Sequence, residues 1–407
     1  MIVPSIDLMG GKAVQLRQGR DKVLERDDVH ALAERFARVG EIAVIDLDAA
    51  LGQGDNRELV KGLCRRFPCR VGGGIRTADR GREMLRAGAE KLIIGTAATP
   101  EFLASFKPEQ VIVAVDEKAG EVVDQGWRRG TGESAVARVR ALEDRCSGFL
   151  YTVVDREGLL QGTALDRIRA VREATARRVT AAGGISSVEE VKALAAMGVE
   201  SQLGMAIYTG VLEPEALLVS LVDFDKGGGL APTVVEDEEG RLLMVAFSSP
   251  GSLERALSEG RGVYFSRSRN EVWVKGETSG HRQTLVRARL DCDRDALRFT
   301  VRQEGPACHS GEDTCFGRLP FSLPGLERVL RDRLASPRPG SYSSELLKDE
   351  RAICRKLNEE AYESIDARGP DETTWEVADL VYMATALLVT RGLSWRDVLR
   401  ELRGRER

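Results

Sequence analysis

The chain has 407 residues, too many for one ordinary domain, and its 42% hydrophobic and 30% charged content is that of a globular protein. A formal net charge of −4 argues against a general nucleic-acid binder, and no apolar run approaches the roughly 20 residues of a membrane span. Seven cysteines, without dense disulfide spacing, fit a reducing cytoplasm.

Met1 leads directly into Ile-Val-Pro-Ser-Ile-Asp, the pattern of a core strand and not of a signal peptide. Up to residue 220, short apolar runs alternate with amphipathic helical stretches. Ile42–Leu47, Lys91–Ile94, Val111–Val115 and Phe149–Val154 are such runs. This region repeats internally. Asp7 returns as Asp116, Gly73-Gly74-Ile75 as Gly183-Gly184-Ile185, and Gly95 as Gly204, each about 110 residues on. Two halves of four βα units predict a (β/α)8 TIM barrel over residues 1–220, with these residues at the C-terminal ends of the strands. Glycine turns there free backbone N–H groups for phosphate. One turn per half predicts a ligand with a phosphate at each end.

Gly227-Gly228-Gly229 marks a linker, and residues 221–319 read as a small β-rich α+β domain. Its strands are Leu242–Phe247, Val263–Ser266, Glu271–Lys275 and Leu285–Leu290. Next comes Asp291-Cys292-Asp293-Arg294-Asp295, then Cys308-His309 and Cys315. In an extended strand Asp291, Asp293 and Asp295 would share one face and Cys292 would take the other. Carboxylates suit Mg2+ and thiolates suit Zn2+, so two cation sites are expected. Cys292, Cys308 and Cys315 form the soft one. Three thiolates leave a coordination position open, whereas His309 as a fourth ligand would close the site. Cys64, Cys69, Cys146 and Cys354 read as small buried or inert thiols. His30 reads as an ordinary polar group. His281 and His309 fall inside the motifs and suit proton transfer.

Leu319–Pro324 is a second break, and residues 322–407 are helical apart from a turn at Pro337–Tyr342. Glu360 with Glu363, and Glu376 with Asp379, are spaced i, i+3, so each pair shares a helix face. Two such helices can hold Mg2+ between them, in an all-α domain.

In the first region, Val3-Pro4-Ser5-Ile6-Asp7-Leu8, Gly11-Lys12, Val71-Gly72-Gly73-Gly74-Ile75-Arg76, Ile94-Gly95-Thr96-Ala97, Gly126-Trp127 and Ala182-Gly183-Gly184-Ile185-Ser186-Ser187 carry a specific pattern. It resembles the histidine-biosynthesis isomerase that acts on phosphoribosylformimino-aminoimidazole carboxamide ribotide. The resemblance implies an Amadori rearrangement of an aminoaldose to a ketose. Asp7 would be the acid that opens the ribose, Asp116 the base, and Thr152 would assist. Trp127 would stack on the imidazole. Gly73, Gly74, Gly95, Thr96, Gly183, Gly184 and Gly204 would hold the phosphates. The sequence departs from the family pattern at Val153, where an Asp is usual. Arg156-Glu157-Gly158 stands for Arg-Asp-Gly, and Gly204-Met205-Ala206 for Gly-Arg-Ala. These departures leave open a bifunctional hydrolase whose barrel is inactive or repurposed.

Residues Val263 to Asn270, Val272 to His281, the Asp291–Asp295 run, Cys308-His309 and Cys315-Phe316 resemble phosphoribosyl-AMP cyclohydrolase. That resemblance implies zinc-activated water opening the adenine ring, Mg2+ on the three aspartates, and phosphate contacts from Arg267, Arg269 and Lys275. It also implies zinc ligands shared across a homodimer. Ser341-Tyr342, Lys356, Glu359, the Glu360/Glu363 pair and Asp379-Leu380-Val381-Tyr382 resemble phosphoribosyl-ATP pyrophosphohydrolase, a Mg2+ enzyme, with Met383 where that family often has His. Together they imply a trifunctional cytoplasmic enzyme. It would act on small phosphoribosyl nucleotides, with Zn2+ and Mg2+, and with neither nucleic acid nor membrane as partner.

Overall fold

Eight short runs rich in Val, Ile and Leu pair in parallel and close on themselves. They are β1 (Ile2–Met9), β2 (Ile42–Asp46), β3 (Cys69–Gly72), β4 (Lys91–Ile94), β5 (Val111–Lys118), β6 (Gly148–Val153), β7 (Arg178–Ala182) and β8 (Val199–Leu203). Each strand pairs with the next, and β8 returns to β1. The computed structural model describes residues 1–19 and 21–405, and the last two residues of the expected helical domain lie outside that range.

Val3, Ala43, Ile93, Ile112, Leu150 and Ala182 point inward and fill the barrel, so the lumen is a packed core and not a pore. The outward residues are covered by helices with apolar faces. Val29–Ala37, for example, buries Val29, Leu32, Ala33 and Phe36, a 3.6-residue stripe. At the C-terminal end of the barrel the chain turns sharply after β3 and β7. Gly73 and Gly183 take φ of +90° and +98° there, and a Cβ would lie 2.2 Å from the Asp46 carbonyl oxygen or 2.5 Å from that of Val153. Only glycine fits either turn. Two hairpins, Lys12–Arg17 with Asp21–Arg26 and Glu121–Asp124 with Arg129–Gly130, rise at the same end.

The strand-rich region comprises β9 (Ala231–Asp237), β10 (Leu242–Ser248), β11 (Val263–Ser266), β12 (Glu271–Val274), β13 (Gln283–Leu290) and β14 (Leu297–Gln303). They form one six-stranded sheet in the order β12-β11-β10-β9-β14-β13, with only β9 and β14 parallel. The sheet and the Pro250–Glu259 helix pack on the barrel within one compact unit, Met1–Gly317. Ala288 N donates to the Arg38 carbonyl at 2.7 Å. The Arg38 guanidinium donates to the carbonyls of Leu257 and Ser258 at 3.1 and 3.2 Å.

One expectation is corrected here. Asp291–Asp295 is not a strand: β13 ends at Leu290, and residues 291–296 form the turn into β14, with Arg294 at φ +67°. A run of Asp has poor strand propensity and satisfies its own backbone instead. Asp291 Oδ1 accepts from Ala296 N at 3.2 Å.

A second unit begins at Arg318. It contains α1 (Leu323–Ala335), α2 (Tyr342–Leu346), α3 (Glu350–Asp366), α4 (Pro370–Thr390) and α5 (Trp395–Arg405). Ser322, Ser341 and Asp349 cap the first three through their side chains. Leu330, Leu346, Ile353, Met383, Ala386 and Val389 make its core. The Met383 position is thus an apolar packing position here. Among the described residues no single helix is long and apolar enough to cross a membrane.

Candidate active sites

At the C-terminal end of the barrel lies a cavity of about 630 Å³ lined by the residues that repeat between the halves. Asp7 comes from β1 and Asp116 from β5, with Thr152 of β6 in register beside Asp116. Ser5 Oγ donates to Asp7 Oδ1 at 2.8 Å, and Trp127 Nε1 donates to Asp116 Oδ2 at 2.8 Å. Burial pushes Asp7 up to about 6, against the Ser5 hydrogen bond. Burial also raises Asp116, and the bonds from Trp127 and Thr152 oppose it. Glu157 lines the same cavity. Burial first, then the charges of Asp7 and Asp116, push it up to about 8. Three carboxylates thus converge where two were expected.

Both glycine turns face this cavity. Gly73, Gly74, Gly95 and Thr96 come from the first half, and Gly183, Gly184 and Gly204 from the second. Glu190 bonds the second glycine turn itself, and Asp46 bonds the loop that packs against the first. Asp46 accepts from Ala49 N at 3.2 Å and from Asn56 N at 2.9 Å. Glu190 accepts from the N–H groups of Thr163 at 2.6 Å and Ser186 at 2.9 Å. Trp127, at φ +66°, lies against Gly19 of the first hairpin, whose Cβ would fall 2.5 Å from the indole ring. Val153 is 1% exposed and lies outside the cavity lining, and Met205, 7% exposed, lines the cavity with an apolar side chain.

In the strand-rich region Cys308 and Cys315 face each other across one loop. The Ser310 hydroxyl donates to Cys308 Sγ at 3.1 Å and holds that thiol below its usual range, while burial pushes Cys315 up. The pair therefore favours one thiolate, which fits a soft cation. Cys292 is exposed in the Asp291–Ala296 turn, and the three sulfur atoms do not lie within 4.8 Å of one another in one chain. His309 Nδ1 sits 3.8 Å from Cys308 Sγ, and His281 packs against Gly305. The carboxylates of Asp291, Asp293 and Asp295 do converge within 4.8 Å, by way of the turn.

The three basic residues expected to meet phosphate each have a partner within the chain. Arg267 stacks 3.7 Å over the Phe247 ring centroid, and Arg269 Nε lies 3.2 Å from Glu271. Lys275 Nζ donates to the Ala307 carbonyl at 2.5 Å.

In the helical unit, α3 and α4 bring carboxylate oxygens of Glu360, Glu363 and Glu376 within 4.8 Å of one another. Burial raises Glu360 and Glu376. The charges of Glu363 and Asp379 raise both further, so Asp379 belongs to the same negative cluster. Gathered repulsion of this kind fits a divalent cation with oxygen ligands. Lys356 Nζ pairs with Glu359 at 2.7 Å and lies 3.9 Å from Glu360.

Residues 1–213, more than half of the chain, match the model of the histidine biosynthesis protein family. The chain belongs to that family. Residues 244–317 match phosphoribosyl-AMP cyclohydrolase, and residues 323–406 match phosphoribosyl-ATP pyrophosphohydrolase. A histidine biosynthesis trifunctional protein of Saccharomyces bayanus is 46% identical over 182 residues, 44% of this chain but only 23% of that protein. A histidine biosynthesis bifunctional protein of Pyrococcus furiosus is 37% identical over 204 residues, covering 47% of this chain and 98% of that protein. An imidazole-carboxamide isomerase of Methanocaldococcus jannaschii is 34% identical over 226 residues, covering 52% of this chain and 95% of that protein.

Against this family background, Glu157 is the site residue that the motif reading left out. Its one signal was the position, the acidic residue of Arg156-Glu157-Gly158. What gives it a place in the site is the fold. Gln18 N donates to the Glu157 carbonyl at 3.2 Å, tying this loop to the first hairpin over the cavity.

Proposed function

We propose that this member of the histidine biosynthesis family carries three consecutive activities, in the reverse of reaction order along the chain. The helical unit hydrolyses phosphoribosyl-ATP to phosphoribosyl-AMP and pyrophosphate. The strand-rich region opens the adenine ring of phosphoribosyl-AMP. The barrel isomerises the resulting aminoaldose to the ketose. The observation that carries the reading is the pairing of Asp7 and Asp116 in one cavity flanked by two glycine turns. Such a cavity suits a sugar with a phosphate at each end.

In the barrel, Asp7 holds a proton up to about 6 and serves as the acid that opens the ribose ring. Asp116 accepts hydrogen bonds from Trp127 and Thr152, which stabilise its anion, and it takes the C2 proton. Glu157 stays neutral to about 8 and so lowers the repulsion felt by a substrate with two phosphates.

Cys308 and Cys315 would hold Zn2+, with Cys292 supplied from a second copy of the chain, which makes the protein a homodimer through this region. Zinc with an open position lowers the pKa of water to about 7. His281 and His309 move protons beside it, and Asp291, Asp293 and Asp295 would hold Mg2+. In the helical unit Glu360, Glu363, Glu376 and Asp379 would hold Mg2+, which neutralises the triphosphate, with Lys356 beside it. A setting in the cytoplasm matches the free thiols.

The test is to assay the purified chain with each of the three substrates. Turnover of all three, with Asp7→Asn losing the isomerisation alone, is the expected result. Hydrolysis without isomerisation would mean a bifunctional enzyme with a repurposed barrel.

A further inference from the structure

The aspartate cluster of the strand-rich region already carries a cation, and the chain itself supplies it. Lys226 Nζ lies 3.0 Å from Asp293 Oδ2 and 3.3 Å from Asp295 Oδ2. Lys226 sits on the linker between the Pro214–Ser220 helix and β9, outside every motif described above. The linker is held to the aspartate turn by its backbone, with Asp223 N donating to the Arg294 carbonyl at 2.7 Å. Lys226 N in turn lies 3.3 Å from Asp223 Oδ1, which fixes the short turn Asp225–Gly227 that presents the ammonium. Beyond it, Gly227, Gly228 and Gly229 are open: a Cβ on any of them would meet nothing within 4 Å. Their N–H groups bond only within the turn, to the carbonyls of Phe224 and Asp225, so the strap can shift at little steric cost.

An ammonium and a divalent cation need the same carboxylate oxygens. Mg2+ or Ca2+ binds oxygen ligands at about 2.0–2.6 Å, which leaves no room for a lysine head on the same pair of aspartates. We propose that Lys226 is a built-in competitor at this site. Its ammonium holds Asp293 and Asp295 together in the metal-free chain, and a divalent cation expels it and loosens the linker from the 291–296 turn. The proposal rests on the reading of Asp291, Asp293 and Asp295 as a cation site. Through it, cation loading of the strand-rich region is linked to the segment that joins that region to the barrel.

Mn2+ binding to the full chain, followed by electron paramagnetic resonance at low salt, tests it. The helical site is silenced in every sample by Glu360→Gln with Glu363→Gln. Lys226→Met should bind Mn2+ about two- to fivefold more tightly than the Lys226 chain, the range expected of an exposed ion pair, and the gap should narrow at high salt. Amide exchange over residues 223–229 should quicken when Mn2+ is added to the Lys226 chain. Equal or weaker binding by Lys226→Met, or exchange that Mn2+ does not change, overturns the competitor while leaving the cation site standing. No Mn2+ binding by either chain overturns the cation site and the proposal together.

Discussion

The barrel cavity and the two acidic cradles use the same functional group in opposite ways. In the barrel, Asp7, Asp116 and Glu157 are half-buried in the wall of one cavity, and burial is the first cause of each raised proton affinity. In the cradles the carboxylates are crowded by one another, and Asp291, Asp293 and Glu363 are exposed, although burial is also the first cause at Glu360 and Glu376. A carboxylate that must give and take protons near neutral pH needs a dry site. One that must hold a cation needs close negative neighbours and tolerates water. The barrel cavity is also lined within one chain, whereas Cys292 stands apart from the Cys308 and Cys315 pair.

The largest expected effect breaks the barrel side of this contrast. Asp116→Asn should lower the isomerisation rate by about 10²- to 10⁴-fold, the usual worth of a positioned acid or base, and leave both hydrolyses unchanged. Steady-state kinetics on the three substrates would show it. A parallel fall in the hydrolyses would mean that the sites are coupled. The next effect breaks the metal side. Cys308→Ser should remove bound zinc, read by metal analysis, and abolish ring opening while isomerisation persists. Zinc retained in this variant would move the soft site elsewhere.

The parts of the molecule that could be read beforehand are those set by local rules. Lys91–Ile94 and Val263–Ser266 appear as strands with the bounds of their apolar runs. The paired glycines mark the turns after β3 and β7 because the neighbouring carbonyls exclude a Cβ. The i, i+3 spacing of Glu360 with Glu363 is a property of one helix. Asp291–Asp295 misled, because alternating carboxylates look alike in a strand and in a turn until the backbone direction is known. Glu157 acquires its role only when its loop folds back under the first hairpin, a contact between residues more than a hundred positions apart. The stacking of Arg267 on Phe247 is equally non-local.

Glu157 sharpens the contrast through pH. A glutamate titrates near 4.5 in the unfolded chain and at about 8 in this cavity. The folded chain binds that proton more tightly, so the contribution favours folding in full below about 4.5 and is lost as pH rises through about 8. The unfolding midpoint of the wild-type barrel should therefore fall, relative to Glu157→Gln, as pH is raised from about 5 to about 9. Parallel curves for the two proteins would remove Glu157 from the set of dry carboxylates.

The smallest effect tests whether hydrogen bonding adjusts what burial sets. Ser5 Oγ donates to the Asp7 anion and opposes the rise caused by burial. Ser5→Ala removes that donor without opening the cavity, so Asp7 should keep its proton to a higher pH than about 6. If Asp7 is the acid, the alkaline limb of kcat/KM for isomerisation moves up in Ser5→Ala, while the rate at the optimum changes little. An acid limb that moves up in its place would exchange the roles of Asp7 and Asp116 while keeping both in the reaction.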